Sequence, residues 1–247
     1  MADDPTALDT AALTARLTAL LHEADWADAW DLDDLYVEIG RVAEELHRRG
    51  ADSLAITRAR ARSRVDAAWG LRDGGEREPA LAAYRDVVAL FANESDPQVC
   101  ADVADALFNV GCLLDDLDRQ MEAVVAYDQT IRRLATATEF PHVEWLLAAM
   151  GNRATLLEDL EGSESALAAW DELIRRCGDL ADQPMLEHIV LRDTVWGLVG
   201  RGRCLERLGR TAEAVSTYKQ VIALGPRLPD GERGSVRDAE ARLAALR

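Results

Sequence analysis

Ala80-Leu81-Ala82-Ala83-Tyr84 returns three more times along this chain of 247 residues. Its copies are Ala123-Val124-Val125-Ala126-Tyr127, Ala166-Leu167-Ala168-Ala169-Trp170 and Ala214-Val215-Ser216-Thr217-Tyr218. The aromatic residues stand at 84, 127, 170 and 218, so the steps are 43, 43 and 48 residues. Four residues beyond each comes a β-branched side chain: Val88, Ile131, Ile174 and Ile222. Alanine, aromatic and aliphatic at i, i+4 and i+8 form a single stripe on a helix.

The same register extends backwards. Twelve residues before each alanine stands a small residue, Ala68, Gly111, Ala154 or Gly202, and three residues after it a leucine, Leu71, Leu114, Leu157 or Leu205. Arg64, Leu107, Met150 and Leu198 lie four residues before the small position. Large, small and large at that spacing define one face of a preceding helix, and the small residue admits a close neighbour. Gly75, Asp118, Glu161 and Gly209 share one position between the two helices. A tight turn there calls for a residue that accepts positive φ, which glycine does at no steric cost.

Composition narrows the function. Twenty-eight basic residues face 45 acidic ones, a formal charge of −17, so nucleic acid is not expected as a partner. No apolar run approaches the roughly 20 residues that span a bilayer. The acidic Met1-Ala2-Asp3-Asp4-Pro5 is unlike a secretory leader. Cys100, Cys112, Cys177 and Cys204 make no Cys-x-x-Cys pair and read as free thiols of a reducing, cytoplasmic compartment. Lys219 is the only lysine among the basic residues, a bias toward arginine that suggests a GC-rich bacterial source.

The sequence carries no organised catalytic motif. There is no phosphate-binding Gly-x-x-x-x-Gly-Lys-Ser/Thr, no Gly-x-Gly-x-x-Gly and no Gly-x-Ser-x-Gly. His22, His47, His142 and His188 do not form His-Glu-x-x-His. Neither cofactor nor metal is expected. Asp31, Asp33 and Asp34 read as charges favouring a helix start, without the alternating ligands of a calcium loop. The Arg58, Arg60, Arg62 and Arg64 cluster reads as a solvated face that pairs with the acidic N-terminal segment.

The paired-helix pattern resembles the tetratricopeptide repeat, with small residues at its eighth and twentieth positions and an aromatic at its twenty-fourth. Residues 61–226 match it four times, most closely at Leu198, Gly202, Gly209, Ala214, Tyr218 and Pro226. The period exceeds the family's usual value of about 34. The extra residues fall between units, where Asp96-Pro97, Glu139-Phe140-Pro141 and Asp182-Gln183-Pro184 read as helix starts that lengthen the helices. The resemblance implies an all-α, right-handed superhelical solenoid of antiparallel helix pairs. With the flanks there are about eleven helices: a helical pair or cap in 1–50, four repeats in 51–226 and a capping helix in 227–247.

The resemblance also implies that the first helix of each pair lines a concave face. The positions it selects include Arg62, Val65, Asp66, Trp69 and Arg72, then Asp105, Phe108, Asn109, Asp115 and Asp116. Gly151, Asn152, Glu158 and Asp159 follow, then Trp196, Val199, Gly200 and Arg203. All charges in the middle two units are acidic, which disfavours a carboxylate ligand and favours a basic one. Asn109 and Asn152 share a repeat position. They read either as a ladder holding a peptide backbone, as in some family members, or as helix–helix contacts. Trp69, Phe108 and Trp196 read as apolar anchors or as core between repeats. The expectation is a non-catalytic protein-interaction module, monomer or homodimer, taking a basic segment in an acidic groove. Two alternatives stand beside it: a peptide-responsive regulator, and an enzyme or biosynthetic accessory protein on a helical scaffold.

Overall fold

The structure is a computed structural model that describes residues 5–24, Trp26 and 32–246. Asp31 lies outside the described residues. Eleven α-helices and no strand occur among those described: α1 (Thr10–Ala24), α2 (Leu32–Arg48), α3 (Leu54–Asp73), α4 (Arg77–Leu90), α5 (Pro97–Asp116), α6 (Gln120–Arg133), α7 (His142–Leu160), α8 (Ser163–Asp179), α9 (Glu187–Arg207), α10 (Thr211–Leu224) and α11 (Gly234–Ala245). Four pairs, α3/α4 to α9/α10, coincide with the four sequence repeats. The extra length goes mainly into the first helix of each pair and into short 3-10 turns such as Pro184–Leu186 ahead of α9.

The chain divides into two compact units, Met1–Leu113 and Leu114–Arg247, with the boundary inside α5. In the first unit α1, α2, α3 and α4 pack in chain order. Leu13, Leu17 and Leu20 of α1 meet Ile39, Val42, Ala43 and Leu46 of α2 in one buried cluster. In the second unit α6 to α11 pack successively, and the first helices α7 and α9 also meet. Tyr84, Tyr127, Trp170 and Tyr218 are all fully buried. A Cβ added to Gly202 would lie 2.5 Å from the Tyr218 ring, well inside carbon–carbon contact, so the small position exists to admit the next helix.

Helix ends follow local chemistry. Ser53 Oγ accepts from the Ile56 N–H at the start of α3. Asp96 Oδ1 accepts from the N–H groups of Gln98 and Val99 at the start of α5, as an N-cap should. At the turns, the carbonyls of Leu71, Leu114, Leu157 and Leu205 each accept from the N–H five residues on. Positive φ falls at Gly75, Asp118 and Gly209, but in the third pair it falls at Gly162 and not at the expected Glu161. A glycine one residue along takes a positive-φ, extended conformation (φ 93°, ψ −179°) that a glutamate would adopt only with strain.

The arginine cluster splits its pairing. Arg60 and Arg64 meet Glu44 of α2, as the acidic N-terminal segment suggested. Arg58 instead pairs with Asp96, and Arg62 with Asp66.

Candidate functional site

Each unit carries its own part of the candidate surface. In the first, α3 and the start of α5 bring together Arg62, Asp66, Asp102 and Asp105. Arg62 Nη2 lies 2.7 Å from Asp66 Oδ1, while its Nη1 is 3.8 Å from Asp102 Oδ1. Asp102 is only 1 % exposed, and its Oδ2 accepts no hydrogen bond from the protein. Burial pushes its carboxyl up to about 7, with Asp105, Asp66 and Asp96 adding to the shift and Arg62 opposing it. Burial likewise raises Asp105 to about 6. Trp69, one helical turn beyond Asp66, leaves half of its surface in solvent. Phe108 is half-buried.

Asn109 sits differently from a groove ladder. It is buried, its Nδ2 donates to both the backbone oxygen and Oδ1 of Asp105, and its Oδ1 accepts from Arg72 Nη1. Its amide is committed to holding α3 and α5 in register, so the helix-contact reading of this asparagine prevails. Val65 is also buried and serves the core.

In the second unit Asp115 is half-buried, and Asp116 and Asp159 are exposed. Burial raises the Asp115 carboxyl, and the like charges of Asp116, Asp118 and Asp159 push it the same way. Glu158 is buried and locked in ion pairs with Arg203 at 3.2 Å and Arg207 at 2.6 Å. It and Arg203 therefore neutralise each other and offer little net charge. Asn152 donates from Nδ2 to Tyr127 Oη at 3.2 Å and stays half-buried.

Trp196 presses on Gly151, where a Cβ would fall 2.1 Å from its ring. It also meets Trp170 edge-on at 5.6 Å. Trp196 is thus core between repeats along one edge. Its remaining surface lines a cavity of about 320 Å³, walled by Ala148, Val195 and Leu228 and carrying Arg192, Asp193, Glu232 and Ser235. Gly200 is likewise buried, facing Trp170, and Val199 is buried. Lys219 stands exposed on α10, a second helix.

Asp102 and Asp193 went unmarked by the sequence reading. Both lie nine residues before the small position of their repeats, in the extra turn of the lengthened first helices, outside the frame of a shorter repeat. The signal was present as Asp102, Asp105 and Asn109 at i, i+3 and i+7, one face of a helix.

Stacked helix pairs with an aromatic in each second helix define a helical-repeat protein. The tetratricopeptide repeat family model matches residues 197–224, most of the fourth pair. Two solved structures share the fold. BtubC (BKLC) from P. vanneervenii is 14 % identical over 89 % of this chain and 84 % of that one, with a TM-score of 0.59. A Podosopora anserina kinesin light chain protein with nearly identical TPR-like repeats is 15 % identical over 87 % of this chain and 96 % of its own, with a TM-score of 0.51. A search of curated proteins returns no match. The chain therefore has the all-α tetratricopeptide-repeat fold, and its fourth repeat fits the family's own sequence pattern. No helix among the described residues is long and apolar enough to cross a membrane. No group of three or more His, Cys, Asp and Glu among them is arranged to hold a metal ion.

Proposed function

We propose that this chain is a non-catalytic protein-interaction module that holds a segment of another protein rich in arginine or lysine against its first-helix faces. Residues 51–226 supply the working repeats, and 1–50 and 227–247 cap them. The observation that carries this reading is the crowding of carboxylates there. Burial, reinforced by like-charged neighbours, raises Asp102 and Asp105 in the first unit and, separately, Asp115 in the second, so a positive charge added beside either group would relieve it. Trp69 supplies an exposed aromatic surface beside that charge. The four thiols have no disulfide partner, which suits action in a reducing cytoplasm.

The cavity beside Trp196 favours a second reading, a regulator that responds to a short peptide whose side chain enters that pocket. A peptide array with basic, neutral and acidic positions, followed by calorimetry on the selected sequences, separates the readings. The interaction module selects basic segments whose affinity falls with added salt. Selection of acidic segments, or affinity indifferent to salt, defeats it. Selection governed by one large apolar side chain, and lost on filling the pocket with Ala148→Phe, supports the regulator.

A further inference from the structure

Two buried carboxylates occupy the same repeat position and are served unequally. Asp193, 2 % exposed, receives the guanidinium of its own neighbour Arg192, Nε to Oδ1 at 3.1 Å and Nη2 to Oδ2 at 3.3 Å. Asp102, 1 % exposed, is preceded by Ala101, so no arginine stands beside it in sequence. Its nearest cation, Arg62, is drawn onto Asp66 and stays 3.8 Å away, leaving Asp102 Oδ2 without a hydrogen bond from the protein. Asp105, three residues along the same helix, adds a third carboxylate to this cluster. Tyr84 Oη, buried and also without a hydrogen-bond partner, lies close enough for Asp105, Asp66 and Arg72 to act on its ionisation. The two differ in where the arginine is held: Arg192 reaches both oxygens of Asp193, whereas Arg62 is held by Asp66 and stops short of Asp102.

We infer that Asp66, Asp105 and Trp69 receive one arginine or lysine side chain of a partner segment, releasing Arg62 to close onto Asp102. This inference rests on the interaction reading above and names the residues at which recognition occurs in the first unit. Asp66 keeps part of its carboxylate at the surface while Asp102 does not, so the incoming cation meets Asp66 first. Once that charge pairs with Asp66, Arg62 is no longer bound there, and a small rotation of its side chain spans the gap to Asp102. The Trp69 face, one turn along α3, covers the cation from the open side by cation–π attraction. A neutral or acidic side chain would leave Arg62 where it stands and add either nothing or repulsion.

The test uses the isotope-labelled full chain and two capped tripeptides, acetyl-Ala-Arg-Ala-amide and its glutamate counterpart. The Trp69 indole N–H signal, assigned by its loss in Trp69→Phe, is followed by NMR together with the Arg62 Nε–H. The arginine peptide is expected to move both signals in a saturable, millimolar titration, and the glutamate peptide to move neither. Asp66→Asn and Asp105→Asn are each expected to weaken the titration about tenfold. Asparagine keeps the oxygen that accepts from Asn109, so Asp105→Asn preserves that contact, and unchanged amide spectra elsewhere verify the fold. A titration that fails to saturate, or one that both variants leave unchanged, overturns the assignment. If array-selected segments bind both variants with unchanged affinity, the site falls while the interaction reading stands. If the array selects nothing and the arginine peptide still saturates, the cation site stands and the interaction reading falls.

Discussion

Gly200→Ala and Gly70→Ala are the same chemical change at two helical glycines, and the structure assigns them opposite signs. Within a helix, alanine is favoured over glycine by about 0.5–1 kcal/mol. At Gly70 in α3 an added Cβ meets nothing within 4 Å, so this gain is expected in full. At Gly200 in α9 the same atom would lie 2.3 Å from Trp170 Cε2 and 2.6 Å from two further indole carbons. Relaxed carbon–carbon contact is about 3.5–4.0 Å, so the ring or the helix must move by more than an ångström. Trp170 has no room to give, being fully buried with Trp196 against it. Overpacking of this kind costs about 1–3 kcal/mol. Subtracting the helix gain leaves a net loss of about 0–2.5 kcal/mol. Because both variants change the unfolded chain alike, their difference isolates the native contact. Urea unfolding followed by circular dichroism and tryptophan fluorescence reads both values. The loss at Gly200 should also shrink in a Trp170→Leu background. Stabilisation of Gly200→Ala to the same degree as Gly70→Ala would refute the packing of Trp170 on α9.

Three further outcomes are expected. Trp170→Ala should cost about 3–5 kcal/mol in the same urea assay, since it empties a fully buried indole site. Asp102→Asn should alter the pH dependence of stability. With the folded carboxyl raised from 3.8 to about 7, the wild type binds the proton more tightly folded than unfolded. The Asp102 contribution is therefore intact below pH ~4 and is lost as pH rises toward 7, on the order of 4 kcal/mol in all. The variant should gain on the wild type steadily across that interval in melts at fixed ionic strength; a constant difference would remove Asp102 as the cause. Native alkylation should label Cys100 and Cys112 first, because Cys177 and Cys204 are fully buried and burial pushes their thiols up to about 12 and about 11. Mass spectrometry under denaturing, non-reducing conditions should count four labels, and fewer would mean a disulfide.

Much of the fold was legible because its determinants are local and repeated. Tyr84 and its three counterparts sit at one helical spacing from small residues, and each burial follows from that spacing alone. The third turn was misplaced by one residue, since Glu161 aligns with the other turns while Gly162 has the backbone freedom they use. The candidate site was less legible because it depends on which partner each polar group finds. Glu158 reads as a free charge until Arg203 and Arg207, a whole repeat away in sequence, are found beside it. Asn109 reads equally as a ladder rung or a helix contact until Arg72 takes its oxygen. Gly151 and Gly200 read as groove floor, whereas their missing side chains are the space that two tryptophans occupy.

The arginine bias leaves Lys219 as the only side-chain amine, exposed on a second helix while the proposed binding residues lie on first helices. Amine-directed chemistry therefore has a single side-chain address besides the α-amino group. A fluorophore or a sensor surface attached through Lys219 would hold every molecule by one helix and leave α3, α5, α7 and α9 untouched.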